Sequence, residues 1–239
     1  MANNFGGKIV TSGLVLALDA SAPRSYDGSG TVWSDLSGNG LNSTLSAEAV
    51  GTISSSLNTM AFNGSSEYIS MADTDSLNMT NISVGAWFNI GTFPAFSQYR
   101  IINHQETSVK AWGLQMGRGD YVGNGTDSEI RLFCHANDGI SSVNVNSGTN
   151  LSIDTWYYAM FTSDGTTLTL YLNGAFDKSG SPGGNLYSTI SAPLAIGVGS
   201  PSLASFFWDG MIGGIQIYNK ALTATEVLQN YNATKGRFD

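Results

Sequence analysis

Residues Trp33 to Gly40 read WSDLSGNG. Asp35, Ser37 and Asn39 stand at alternate positions and Gly40 follows, which is how the first half of an EF-hand calcium loop begins. The second half fails. Counted on from Asp35, Ser43 and Ser46 occupy the last two ligand positions, so a serine replaces the bidentate glutamate that such a loop requires. The flanks carry strand patterns, not a helix pair. The octet therefore reads as a turn: Asp35 accepts backbone N–H bonds, Gly38 and Gly40 supply the tight geometry, and Trp33 anchors the loop on the core.

Upstream, GLVLALD (Gly13 to Asp19) alternates as a strand, with Leu14, Leu16 and Leu18 on one face. Downstream, MAFNGSSEYISM (Met60 to Met71) reads as two strands joined at Asn63-Gly64, a strong hairpin signal. ISVGAWFNI (Ile82 to Ile90) puts Ile82, Val84, Ala86, Phe88 and Ile90 on one face and Trp87 on the other. YRIINHQ, AWGLQM, EIRLFCHA and SSVNVNS continue in strand-sized pieces. TWYYAMFTS, then TTLTLYLNG with Asn173-Gly174, predicts a clear hairpin. LAIGVG and MIGGIQIYN follow, the latter interrupted by Gly213-Gly214, which marks a bulge or a close backbone approach.

One helix is signed near the end. Thr223 can cap it, Glu226 stands at N3, and Leu222 and Val227 can form a hydrophobic staple. The helix is expected to run to about Tyr231. Some twelve strands and one short helix leave no place for repeated βαβ crossovers. The fold class is all-β: a two-sheet antiparallel sandwich with a short C-terminal helix.

Composition agrees. Of 239 residues 29 are glycine, and only 12% are charged, against about 25% in typical domains. Net charge is −8, with 10 scattered Lys and Arg, which argues against nucleic-acid binding because phosphates need basic patches. No apolar run is long enough to span a membrane. The first residues, MANNFGGKIVTSG, lack the pattern of a secretory signal. Residues 1–12 are expected to be a flexible arm, and residues 13–239 one domain.

In order from about Gly13 to Tyr231, these segments resemble the laminin-G-like domains of the concanavalin A-like jelly-roll class. The resemblance rests on W-S-D-L-S-G-N-G, on F-N-G in MAFNGSSEYISM, on ISVGAWFNI, on TWYYAMFTSDGTTLTLYLNG and on MIGGIQIYNKALTATEV. The compact form is similar to domains of tailed-phage virion proteins. It implies a jelly-roll sandwich and a non-enzymatic structural component of a phage particle (capsid decoration, tail or fibre). Its partners would be other virion proteins or copies of itself. The alternative is a carbohydrate-binding or adhesion module that meets surface polysaccharide outside the cell.

Chemistry is sparsely marked. Glycosidases of this class carry paired carboxylates on one strand, and none of the five glutamates begins such a motif. Cys134 reads as a small buried side chain, and His104 and His135 as hydrogen-bonded strand or rim residues. Arg118-Gly119-Asp120 reads as a chance tripeptide. A structural Ca2+ is the cofactor that relatives suggest. Its candidate ligands are Asp120, Asn124 and Asp127, with Glu129 nearby and Asp73 and Asp75 as a second cluster. Expected glycan or partner contacts are Trp112, Tyr121, Phe206, Phe207 and Trp208, because sugars stack on aromatics beside polar groups. Trp87 and Trp156 read as core.

Overall fold

The computed structural model describes residues 7–46, 57–92, 98–105, 110–120, 126, 128–137, 142–181, 190–202 and 205–238. Fifteen strands occur among them. β1 (Leu14–Asp19), β2 (Val32–Trp33), β3 (Ser43–Leu45), β4 (Met60–Asn63) and β5 (Ile69–Met71) come first. The longer β6 (Ile82–Ile90), β7 (Gln98–Gln105), β8 (Lys110–Arg118), β9 (Ile130–Asn137) and β10 (Ser142–Leu151) follow. Then come β11 (Trp156–Ser163), β12 (Leu168–Leu172), β13 (Ala175–Gly180), β14 (Leu194–Ile196) and β15 (Asp209–Tyr218), and helix α1 (Ala224–Thr234) closes the fold.

All pairings are antiparallel. One sheet has the order β1-β15-β6-β11-β12-β13, with β4 also on β15; the other runs β10-β9-β8-β7-β14-β5-β3-β2. The all-β sandwich expected from the strand pattern is the observed fold. Its inner core contains Val84, Ala86 and Phe88 from β6 and Leu114, Met116 and Leu132 from the opposite sheet.

β6 is buried along its whole length. The residues alternating with its inner face point outward, and Trp87 joins Tyr158, Tyr218, Val227 and Phe238 in a second cluster. Helix α1 therefore gives one sheet a covered outer face. Its start is the expected capping box: the Thr223 side chain accepts from Glu226 N–H, and the Glu226 carboxylate accepts from Thr223 N–H at 2.9 Å. Leu222 and Val227 are both buried in the outer cluster. The helix runs past Tyr231 to Thr234, whose hydroxyl accepts from Trp87 Nε1 at 2.8 Å.

Asn173 and Gly174 both have positive φ, at 50° and 77°, and join β12 to β13 in a two-residue turn that matches the strand twist. Gly213-Gly214 coincides with a register shift between β15 and β6. The expected hairpin at Asn63-Gly64 is corrected. β4 pairs with β15, whereas β5 lies in the other sheet between β14 and β3. Asn63 Oδ1 accepts from Ser65 N–H and Ser66 N–H, at 2.9 and 3.0 Å. Those bonds wind the connection into a wider loop, and the chain crosses from one sheet to the other.

The free arm is corrected over its second half. Val10 is buried; its N–H donates to Asn230 Oδ1 at 2.8 Å and its carbonyl accepts from Tyr218 OH at 3.0 Å. Gln229 Nε2 holds the Lys8 carbonyl at 2.8 Å. Residues 1–6 lie outside the described residues.

Candidate functional site

Strand alternation alone would put one set of side chains from β7, β8 and β9 into the core and the other set outside. Leu114, Met116, Leu132 and Cys134 point in. Gln115, Phe133 and His135 take the outer face, on which Gln115 stands opposite Phe133 on one side and Arg100 on the other. In the next row His135 stands opposite Gly113, and Gly113 opposite Asn103.

A register shift between Arg100 and Ile102 makes this arrangement work. Ile101 and Ile102 are both in the core, so Arg100 and Asn103, three residues apart, share the outer face. A bulge re-aims a side chain in this way. Gly113 makes room for the histidine, since a Cβ there would lie 2.5 Å from His135 Cε1 and 3.1 Å from Asn103 Cβ.

Arg100, Asn103, Gln105, Gln115 and His135 are all buried. Gln115 Nε2 contacts His135 Nδ1. Asn103 Nδ2 donates to Val198 O at 2.8 Å and Gln105 Nε2 to Gly199 O at 3.1 Å. The Arg100 guanidinium lies 5.1 Å from the centroid of the Phe206 ring. The carboxamide nitrogens are thus engaged, but the oxygens Asn103 Oδ1, Gln105 Oε1 and Gln115 Oε1 have no donor. An unfilled buried acceptor costs about 1–3 kcal/mol. These three acceptors lie on one sheet face, and each is covered by its neighbours and closed to solvent.

Phe206 borders this face with φ at 58°, a conformation uncommon for bulky residues. Such strain collects at functional sites. Phe206 and Phe207 are partly exposed, as contact residues must be. Two other expected contacts are corrected. Trp112 is 1% exposed and lies between the sheets, 6.3 Å from Phe161, and Trp208 is fully buried with its edge against Phe88 at 5.7 Å. Strand alternation turns Trp112 inward, and backbone bonds to Gly197 and Gly64, at 2.8 and 2.9 Å, hold Trp208 in the inner core. Tyr121 lies outside the described residues.

Of the expected calcium ligands Asp120, Asn124 and Asp127, only Asp120 lies among the described residues. Asp120 is exposed and paired with Arg118 at 2.9 Å, which also ties up the Arg118-Gly119-Asp120 tripeptide. Glu129 accepts from Thr126 N–H at 2.8 Å and pairs with Arg131 at 3.0 Å. Asn124 and Asp127 lie outside the described residues. Among the described residues no three of His, Cys, Asp or Glu come together. A cation at Asp120 would have to displace the Arg118 guanidinium.

The outer-face carboxamides were missed by sequence reasoning. The bulge breaks the period between Arg100 and Asn103, and Gln and Asn on strands carry no motif. The signal present was an excess of Asn, Gln and His in YRIINHQ, AWGLQM and EIRLFCHA.

The family model described as the concanavalin A-like lectin/glucanases superfamily matches residues 63–228. A comparison with curated protein sequences finds no match. Among solved structures, the fold is similar to domain 4 of AbnA, a GH43 extracellular arabinanase from Geobacillus stearothermophilus, in complex with arabinotriose. The TM-score is 0.66 at 16% identity, over 91% of this chain and 98% of that one. It is also similar to the botulinum neurotoxin serotype D binding domain (TM-score 0.65, 16% identity, 94% of this chain and 53% of that one). A sialidase from Trypanosoma rangeli matches with TM-score 0.66 and 16% identity, over 100% of this chain and 36% of that one. This chain therefore spans about half of the toxin domain and about a third of the sialidase. At these identities the likeness is one of fold.

Proposed function

This chain belongs to the concanavalin A-like lectin/glucanases superfamily, and from that premise we propose that it is a non-enzymatic carbohydrate-binding module. The observation that carries the reading is the row of carboxamides Asn103, Gln105 and Gln115 on one sheet face beside the partly exposed Phe206; their donor-less oxygens are covered in this structure, so a sugar reaches them only by displacing what lies over them. A sugar offers hydroxyl donors at a spacing of a few ångströms, and Phe206 supplies an apolar ring beside them. The arabinotriose complex of a domain with the same fold supports the same ligand class. A binding role is also supported by how the carboxylates are used: Glu226 caps a helix and Glu129 closes a turn.

The test is a glycan array probed with the whole chain and with the N103A/Q115A double variant. Binding by the first and its loss in the second, with the circular dichroism spectrum kept, is the expected result. A chain that binds no glycan, or a double variant that binds as well, overturns the reading.

The finer form of the proposal places the module in a phage particle, with other virion proteins or copies of itself as partners. It rests on the compact style of the sequence, and no comparison carries it. Mass spectrometry of purified particles tests it: the chain should be present as a repeated subunit.

A further inference from the structure

The opposite side of the sandwich holds a cavity of ≈390 Å3 between the outer face of the β1-β15-β6 sheet, the segment from Lys8 to Thr11 and the C-terminal turn at Arg237. Pockets of this volume hold small ligands. The walls are mainly apolar and include Leu14, Leu36 and Trp87, while Gly214 leaves one wall without a side chain.

Three polar features of the wall select the ligand. Gln216 is 8% exposed and its Oε1 accepts from Tyr158 OH at 2.9 Å. Burial pushes the Tyr158 hydroxyl well above its ordinary pKa, so this hydroxyl stays a donor and fixes the amide. Among the described residues Gln216 Nε2 has no acceptor. Asp19 and Arg237 neutralise each other at 2.6 Å, and Arg237 also donates to Ser21 Oγ and to Gly213 O. Lys8 has no carboxylate partner among the described residues. The wall therefore offers one free N–H donor on a buried side chain and one uncompensated positive charge at the mouth.

We infer that this cavity binds a small amphiphilic monocarboxylate, with its apolar body against Leu14, Leu36 and Trp87 and its carboxylate toward Lys8 and Gln216. An apolar body alone would leave the Gln216 donor unmet. A cationic amphiphile would face Lys8. The site shares no residue with the carboxamide face of the other sheet, so the two proposals fail separately.

The experiment is an NMR titration of the whole 15N-labelled chain with octanoate, octanol and octylammonium as probes. Octanoate should shift the Gln216 side-chain amide and the Gly214 N–H with a Kd of about 1 mM or tighter. Octanol should bind at least about tenfold more weakly, a difference of about 1.4 kcal/mol, and octylammonium should shift neither signal. K8E changes an exposed side chain and should lower octanoate affinity at least about tenfold. Equal affinity for octanoate and octanol, unchanged octanoate affinity in K8E, or no shift at Gln216 and Gly214 overturns the inference.

Discussion

Asp35 Oδ1 accepts the backbone N–H of Ala17 at 3.0 Å, and that bond lays the WSDLSGNG loop along the free edge of β1. β1 is an end strand of its sheet. The loop fills its outward groups in turn. Leu36 N–H donates to Ala17 O at 2.8 Å, and Ser37 Oγ and Asn39 Nδ2 donate to Val15 O, each at 2.9 Å. Ser25 Oγ takes the Asp19 N–H at 3.2 Å. An uncovered edge would be a template for pairing with another chain.

Asp35→Ala should therefore act twice. Asp35 also accepts from Ser37 N–H at 2.8 Å and Leu41 N–H at 3.2 Å, and losing charge-assisted bonds of this kind should cost about 3 kcal/mol in urea unfolding. Light scattering should show self-association as the β1 edge opens. A stable, monomeric Asp35→Ala chain would refute the edge-guard role.

The same carboxylate sets an acid limit. Burial raises its pKa, but hydrogen bonds from Ser37, Ala17 and Leu41 outweigh burial and hold it below the ordinary value. As pH falls, the unfolded chain takes up the proton first. The stabilisation is complete above the ordinary carboxylate pKa and disappears as pH falls through the lower folded value. Asp35→Asn should flatten this part of the stability profile.

His104 gives a second pH dependence, at higher pH. Burial lowers its pKa; the bond to Ala192 O and the nearby Asp73 oppose the change without reversing it. The native imidazole is neutral and donates from Nε2 to Ala192 O at 2.9 Å. Below the ordinary histidine pKa the unfolded chain binds the extra proton, so stability should fall with pH, by at most about 1.4 kcal/mol per pH unit. Chemical denaturation of His104→Gln should lack that slope between the folded and unfolded values.

Gly113→Ala tests the packing of the carboxamide face. The new methyl would meet His135 Cε1 at 2.5 Å with Asn103 Cβ at 3.1 Å, so the imidazole must leave its place against Gln115. Overpacking of this kind should cost about 1–3 kcal/mol, and glycan binding should weaken with it. Full stability and full binding would mean that His135 has room to spare.

Thr223→Ala removes the cap of α1. Lys220 at 2.6 Å and the Thr223 N–H hold the Glu226 carboxyl below the ordinary range. Loss of the hydroxyl should cost about 1 kcal/mol, with Thr223→Ser restoring most of it. The readout is the urea midpoint.

Much of the fold was legible because its signals are local. Alternation in ISVGAWFNI set both faces of β6, Asn173-Gly174 supplied the two positive φ angles of a hairpin, and Thr223 with Glu226 made the capping box. Asn63-Gly64 carried the same dipeptide and misled. Its asparagine bonds Ser65 and Ser66 and opens the turn, and the two flanking strands pair with β15 and β14, far along the chain. The candidate site was scarcely legible. Trp112 sits on a strand whose parity sends it inward, while the bulge at Arg100 brings Asn103 outward beside Gly113.

By itself, then, the sequence determined the all-β class, the turn role of WSDLSGNG and the capped helix, because each depends on backbone preferences and hydrogen bonds among residues close in the chain. The tertiary structure alone decided that WSDLSGNG guards the edge of β1, which aromatics are buried, and that Asn103, Gln105 and Gln115 line one face with their oxygens buried and unfilled. Those properties depend on strand register and burial, and both are fixed by contacts between residues distant in sequence.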